Sequence, residues 1–264
     1  MSLSTQQLSI SYPERQVIHS LDLTLPANKV SVLIGSNGCG KSTLLKAMAR
    51  LLTPQSGTVI LDGMDINASS TAQIARKLAI LPQTPIAPEG ITVRQLVSLG
   101  RFPYQNWLRQ WSEEDKQHVD EALRLTGTDT LQHRPVDALS GGQRQRVWIA
   151  MTLAQATETL LLDEPTTYLD LAHQIEILEL LKDLNQQQGK TIVMVLHDLN
   201  LACRYADHLV AVHEGRVYAQ GAPQQIMTET LVNEVFNLRC RIIDDPFFHS
   251  PLCIPFPGEL NANL

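Results

Sequence analysis

The chain has 264 residues and a mass of 29.4 kDa, enough to bury a large core, so one domain with a small appended lobe is the default. Hydrophobic residues make up 44% and charged residues 18%, which is globular rather than disordered. The 21 basic against 27 acidic residues leave a formal charge of -6, which argues against wrapping nucleic acid or docking on an anionic membrane chiefly by charge.

No apolar run approaches the ~18 residues needed to span a bilayer. Met1–Tyr12 shows no basic region followed by an apolar stretch, so no signal peptide is expected. The four cysteines, Cys39, Cys203, Cys240 and Cys253, form no CxxC pair. The expectation is a reduced, cytosolic protein without a disulfide framework or structural zinc, brought to any membrane by another chain.

In chain order, Leu3 to Leu25 reads as antiparallel strands around a Pro13-Glu14 turn, and Val30 to Ile34 as a buried parallel strand. A Gly-rich loop follows, then helical spacing from Thr43 to Leu52. Gly57 to Leu61 reads as a strand entering a tight Asp62-Gly63 turn. The Asp62, Asp65, Asn67 spacing lacks the flanking helices and terminal Glu of a calcium loop, so a plain turn is the reading. Thr71 to about Arg134 reads as mostly helical, broken at Pro82 to Pro88. Buried strands are expected at Thr159 to Leu162, Thr191 to Leu196 and His208 to Val212, separated by helices. After Gly221 the pattern loosens into an extension rich in proline and aromatics from Asp244 to Pro257. The expected fold class is therefore α/β, with a mostly parallel sheet flanked by helices.

Gly35-Ser36-Asn37-Gly38-Cys39-Gly40-Lys41-Ser42-Thr43 fits GxxxxGK[ST] between a buried strand and a helix. Its glycines let backbone N–H groups turn inward onto phosphates, and the helix N-terminus adds partial positive charge. Lys41 supplies a full charge for the β- and γ-phosphates, and the Ser42 hydroxyl can ligate Mg²⁺. Cys39 reads either as a thiol made reactive by the helix N-terminus or as a small residue that fits the loop.

Leu160-Leu161-Leu162-Asp163-Glu164 is an apolar strand ending in two acids. Consecutive strand positions point in different directions, so the two carboxylates take different tasks. Asp163 is placed for the Mg²⁺ shell and Glu164 for polarising the water that attacks the γ-phosphate. His197 occupies the corresponding place after the strand from Thr191 to Leu196, where a γ-phosphate contact is expected.

Leu139-Ser140-Gly141-Gly142-Gln143 opens a helical run to Gln155, with Ser140 a good N-cap and two glycines leaving N–H groups open for a second anion. At this point the chain resembles the ATP-binding subunits of ABC transporters over nearly its full length. The resemblance implies a P-loop NTPase core over about residues 1–85 and 157–220 that includes an N-terminal antiparallel β subdomain. It also implies an inserted helical subdomain over about 86–156 and a C-terminal extension over about 221–264. It further implies that Tyr12 stacks on adenine (core packing is the alternative), that Gln83 touches Mg²⁺ and the attacking water, and that Leu169-Asp170 crosses between subunits. Ser140, Gly141, Gly142 and Gln143 would then close over ATP held by a second copy. ATP and Mg²⁺ are the expected ligands. The expected partners are a second copy, transmembrane permease subunits and, indirectly, a periplasmic substrate-binding protein, with the chain peripheral on the cytoplasmic face of a bacterial inner membrane. Ser36 stands where proline is commoner in the family.

Gly100-Arg101-Phe102-Pro103-Tyr104 with Ser112-Glu113-Glu114-Asp115, Val195 to Asn200 with Ala202 to Ala206, and Leu238 to Pro246 are similar to the ATPases of ferric-siderophore uptake. The bland reading is that these residues pack the helical lobe and the tail. Related cobalamin or haem importers, a soluble ABC ATPase of DNA repair or translation, and a P-loop kinase are the competing functions. Length and unbroken motif spacing argue against the soluble ATPase; LSGGQ and Asp163-Glu164 argue against the kinase.

Overall fold

The computed structural model describes residues 2–13, 15–105, 111–167 and 169–257. The chain runs through β1 (Leu3–Tyr12), β2 (Arg15–Leu25), β3 (Val30–Ile34), α1 (Lys41–Met48), β4 (Ser56–Leu61), β5 (Met64–Asp65), α2 (Thr71–Ala75) and β6 (Leu78–Leu81). It continues through α3 (Val93–Ser98), α4 (Glu113–Leu125), α5 (Gly141–Ala154), β7 (Thr159–Leu162), α6 (Leu171–Gln188) and β8 (Thr191–Val195). The last elements are α7 (Leu199–Tyr205), β9 (His208–His213), β10 (Arg216–Gly221), α8 (Pro223–Ile226), α9 (Glu229–Phe236), β11 (Cys240–Asp244) and β12 (Pro251–Pro255). The fold is α/β, with parallel strands at its centre and an antiparallel N-terminal sheet. Two compact units divide it: Met64–Val193 is one, and Ser2–Gly63 with the chain from Met194 onward is the other.

In the second unit β1 pairs antiparallel with β2 and β4, and β3 pairs in parallel with β9, Leu33 opposite Val210. All five residues of β3 are buried, Ser31 included, as in a strand covered on both faces. Strand β10 returns antiparallel to β9 through Glu214-Gly215, both with positive φ, as a tight hairpin of this twist requires. Asp62-Gly63 turns in the same left-handed way, and Asp65 caps the next turn by accepting from Asn67 N–H at 2.8 Å, so the aspartates here make turns.

Helix α1 stops at Met48, short of the expected Leu52. Arg50 turns left-handed and Leu51 N–H bonds back to Lys46 O at 2.8 Å, which closes the helix end. The C-terminal extension is more ordered than its loose pattern indicates. Helix α9 is capped by Thr228 and ended by left-handed Asn237, and β11 and β12 form a hairpin. Cys203, Cys240 and Cys253 are buried here, and burial pushes the thiols of Cys203 and Cys253 up to about 12, which makes them inert.

In the unit Met64–Val193, β6 pairs in parallel with β7, Leu81 opposite Leu162. Strand β6 corrects the expectation of a mostly helical stretch: four residues are too few to display a period of two among helical neighbours. Thr92, Ser112 and Ser140 each open a helix with a capping box. The Gly100-to-Tyr104 and Ser112-to-Asp115 stretches meet in a buried lock. Arg101, 1% exposed, donates to Asp115 Oδ1 at 2.8 Å and to Ala154 O at 2.9 Å, with its guanidinium 4.0 Å from the Tyr104 ring centre. Burial pushes the Asp115 carboxyl up, but hydrogen bonds from Ser112 and the Arg101 guanidinium outweigh it and hold the group below its ordinary value. Gly100 lies so close to Met151 O that a Cβ would reach within 2.3 Å. The packing reading of Arg101, Tyr104 and Asp115 is thus borne out.

Candidate functional site

The first cluster lies in the unit that holds β3. The loop leaves β3 at Gly35, where a Cβ would meet Val212 O at 2.2 Å, and enters α1 at left-handed Gly40, where it would meet Ile18 Cδ1 at 2.7 Å. Asn37 and Gly38 are exposed between them, and Ser36, Ser42 and Thr43 are half-buried. The Lys41 side chain is 5% exposed and folds under the loop, donating to Gly35 O at 2.8 Å and Ser36 O at 3.0 Å. The ammonium is thereby held against the loop's carbonyls at the N-terminal end of α1, the positive end of the helix. Cys39 is 6% exposed, as the loop-filling reading expects, and its Sγ accepts from Lys41 Nζ at 3.7 Å.

Sequence reasoning missed the brace beneath this loop. Gly215 in the β9–β10 turn donates to Cys39 O at 3.1 Å and accepts from His19 N–H at 3.0 Å, and a Cβ there would strike Val17 O at 2.1 Å. Gly215 lies far along the chain, and nothing in its local pattern points to the loop. Tyr12 ends β1 with 43% of its surface exposed, and its hydroxyl lies 3.4 Å from Thr43 Oγ1. It is an exposed ring beside the start of α1, not a core residue. His197 is exposed one residue beyond Leu196, whose N–H bonds Leu33 O near the end of β3.

The second cluster lies in the unit that holds β7. Asp163 N–H donates to Leu81 O at 2.9 Å, so Gln83, exposed two residues past β6, stands at the same sheet end as the acid pair. Asp163 is 1% exposed and Glu164 half-buried. Glu164 has φ 54°, a left-handed conformation that costs a non-glycine residue about 1–3 kcal/mol and persists only where neighbours fix it. Thr167 supplies two ties that sequence reasoning missed: its N–H donates to Glu164 O at 3.2 Å and its hydroxyl to Glu164 Oε2 at 3.0 Å.

In the same unit Ser140 caps α5, accepting from Gln143 N–H at 3.3 Å while Gln143 Oε1 accepts from Ser140 N–H at 3.2 Å. Gly141 and Gly142 follow, Gly141 exposed, at the positive end of a helix of 14 residues. Asp170 caps α6 and holds the His173 ring through Nδ1 at 2.7 Å; hydrogen bonds from His173 keep its carboxyl below the ordinary value.

One unit thus holds a glycine loop backed by a buried lysine, and the other an acid pair and a 14-residue helix that opens on two glycines. Residues 18–167 match the profile of the family described as ABC transporter, and the chain belongs to that family. It is 69% identical over 258 residues to the achromobactin transport ATP-binding protein CbrD of Dickeya dadantii, covering 98% of this chain and 96% of the relative. It is 58% identical over 254 residues to the siderophore transport system ATP-binding protein YusV of Bacillus subtilis, covering 96% and 92%. Among solved structures, an inward-facing transporter described as metal-chelate type superposes with a TM-score of 0.84 at 28% identity, over 97% of this chain and 98% of that one. The dimeric bacterial ABC transporter cassette MJ0796 superposes with a TM-score of 0.75 at 27% identity, over 83% and 98%.

Proposed function

We propose that this chain is the ATP-hydrolysing subunit of a bacterial importer of ferric siderophores. The observation that carries the ATPase half is that one chain holds both a Lys41-backed glycine loop and a Glu164 carboxylate that accepts from the Thr167 hydroxyl. The siderophore half rests on the match of nearly the whole chain to siderophore-transport ATP-binding proteins.

ATP is the substrate. Gly35 to Thr43 hold its phosphates through backbone N–H groups and the Lys41 ammonium, and Tyr12 offers its exposed ring to the adenine. Ser42, Gln83 and Asp163 present a hydroxyl, an amide oxygen and a carboxylate, the hard oxygen donors that suit Mg²⁺, and the burial of Asp163 fits a carboxylate kept for a cation. When bound, that ion neutralises charge on the transferring phosphoryl group. Glu164 accepts a proton from water as the water oxygen bonds to the γ-phosphorus and the bond to the ADP oxygen breaks. Gln83 orients that water, and His197 steadies the γ-phosphate.

Ser140 to Gln143 serve the ATP held by a second copy, so a working pair contains two composite sites. The dimeric cassette MJ0796 supports this assembly. Permease subunits in the inner membrane and a periplasmic binding protein complete the importer and place this chain on the cytoplasmic face. No helix among the described residues is long and apolar enough to cross a membrane.

The test is uptake of iron-loaded siderophores by cells lacking this gene. Restoring the wild-type chain should recover uptake and Glu164→Gln should not, because a positioned general base contributes ~10²–10⁴-fold in rate. Full uptake with Glu164→Gln would contradict the assigned role of that carboxylate.

A further inference from the structure

The segment that follows Glu164 is fastened to the first two turns of α5. Gln145, half-buried on that helix, donates from Nε2 to Pro165 O at 2.8 Å. Arg146 forms an ion pair with Glu176 of α6, and the Gly142 backbone packs against the His173 ring, so that a Cβ on Gly142 would lie 3.1 Å from His173 Cδ2. Among these ties the one at Gln145 reaches nearest to the acid pair. Pro165 has no N–H, so its carbonyl is the one backbone polar group of that residue that a side chain can grip. The grip falls one residue beyond the left-handed Glu164, the conformation that needs fixing from outside.

We propose that Gln145 is a positioning residue for Glu164: its carboxamide holds the Pro165 carbonyl and thereby keeps the Glu164 carboxylate on the attacking water. The proposal rests on the proposed base role of Glu164. It gives the helix that begins in Ser140-Gly141-Gly142-Gln143 a second task. The helix end that receives one nucleotide also sets the carboxylate that acts on the other.

The experiment compares Gln145→Ala and Gln145→Glu in the full chain, with thermal unfolding to confirm that each is folded. Glutamate keeps the size of the side chain but has no N–H to donate to the carbonyl. Both variants should lower kcat for ATP about tenfold and move KM by less than about twofold, because the lost contact acts on the chemical step rather than on binding. In a Glu164→Gln background, Gln145→Ala should cause no further fall in residual single-turnover hydrolysis and should leave ATP-dependent dimerisation unchanged. Normal kcat in both single variants would overturn the proposal. A further loss on top of Glu164→Gln would overturn it equally, since Gln145 would then act by another route. Near-normal turnover by Glu164→Gln alone would instead remove the base role, and the positioning role with it.

Discussion

The phosphate loop and the Arg101 lock are both short motifs of the kind that identify a family, and the structure uses them in opposite ways. In the loop from Gly35 to Thr43, Gly35 and Gly40 sit where a Cβ would collide with Val212 or Ile18, and the Asn37-Gly38 tip between them is exposed. In the lock the polar groups turn inward: Arg101 meets Asp115 and Ala154, and Tyr104 donates to Gln155 O at 3.0 Å. The loop is built to meet something outside the chain and the lock to meet the rest of its own unit. A motif can therefore carry family information without carrying chemistry.

The sharpest way to break this comparison is to exchange the expected effects. Arg101→Ala takes the cation from the buried Asp115 carboxylate and leaves it the Ser112 hydrogen bonds, which should cost about 3 kcal/mol of stability, the low end for a broken buried pair. Thermal unfolding should show the loss, while the folded fraction keeps its KM for ATP. A change in KM with unaltered stability would place the lock in the site.

Lys41→Ala should do the reverse. Loss of its charge-assisted contacts to phosphate, worth ~1.5–3 kcal/mol, should weaken ATP binding by roughly 10- to 150-fold in a titration. The melting temperature without nucleotide should fall by less than that of Arg101→Ala.

The smallest effect is the pH dependence of the lock. The folded Asp115 carboxyl is held below its ordinary value, so its stabilisation is complete above the unfolded value of about 3.9 and is lost as pH falls through the lower folded value. Wild-type stability should thus drop more steeply with acid below about pH 4 than that of a variant lacking both Arg101 and Asp115. Parallel acid limbs would show that the pair contributes no such term.

The same contrast explains what could be read from the chain. The loop, the acid pair and the signature are contiguous, and each needs particular residue types at fixed spacing, so Gly35 to Thr43, Asp163-Glu164 and Ser140 to Gln143 were legible together with the buried strands beside them. The Gly215 brace, the Thr167 hydroxyl on Glu164 and the Gln145 grip were not. Gly215 lies far along the chain from the loop it supports, and Thr167 and Gln145 act through hydrogen bonds that no periodicity marks. Strand β6 was hidden by its length, and β12 by the prolines at its two ends, which break alternation yet are tolerated in an edge hairpin.

The central claim is that the complete site is shared between two copies, with Ser140 to Gln143 of one closing on the ATP of the other. The direct measurement is the molar mass of Glu164→Gln in solution with and without ATP, beside Glu164→Gln that also carries Ser140→Arg. The account predicts a dimer with ATP for the first protein and a monomer for the second, both retaining ATP binding. A monomer in both, or an ATP-bound dimer that tolerates arginine at Ser140, would contradict it.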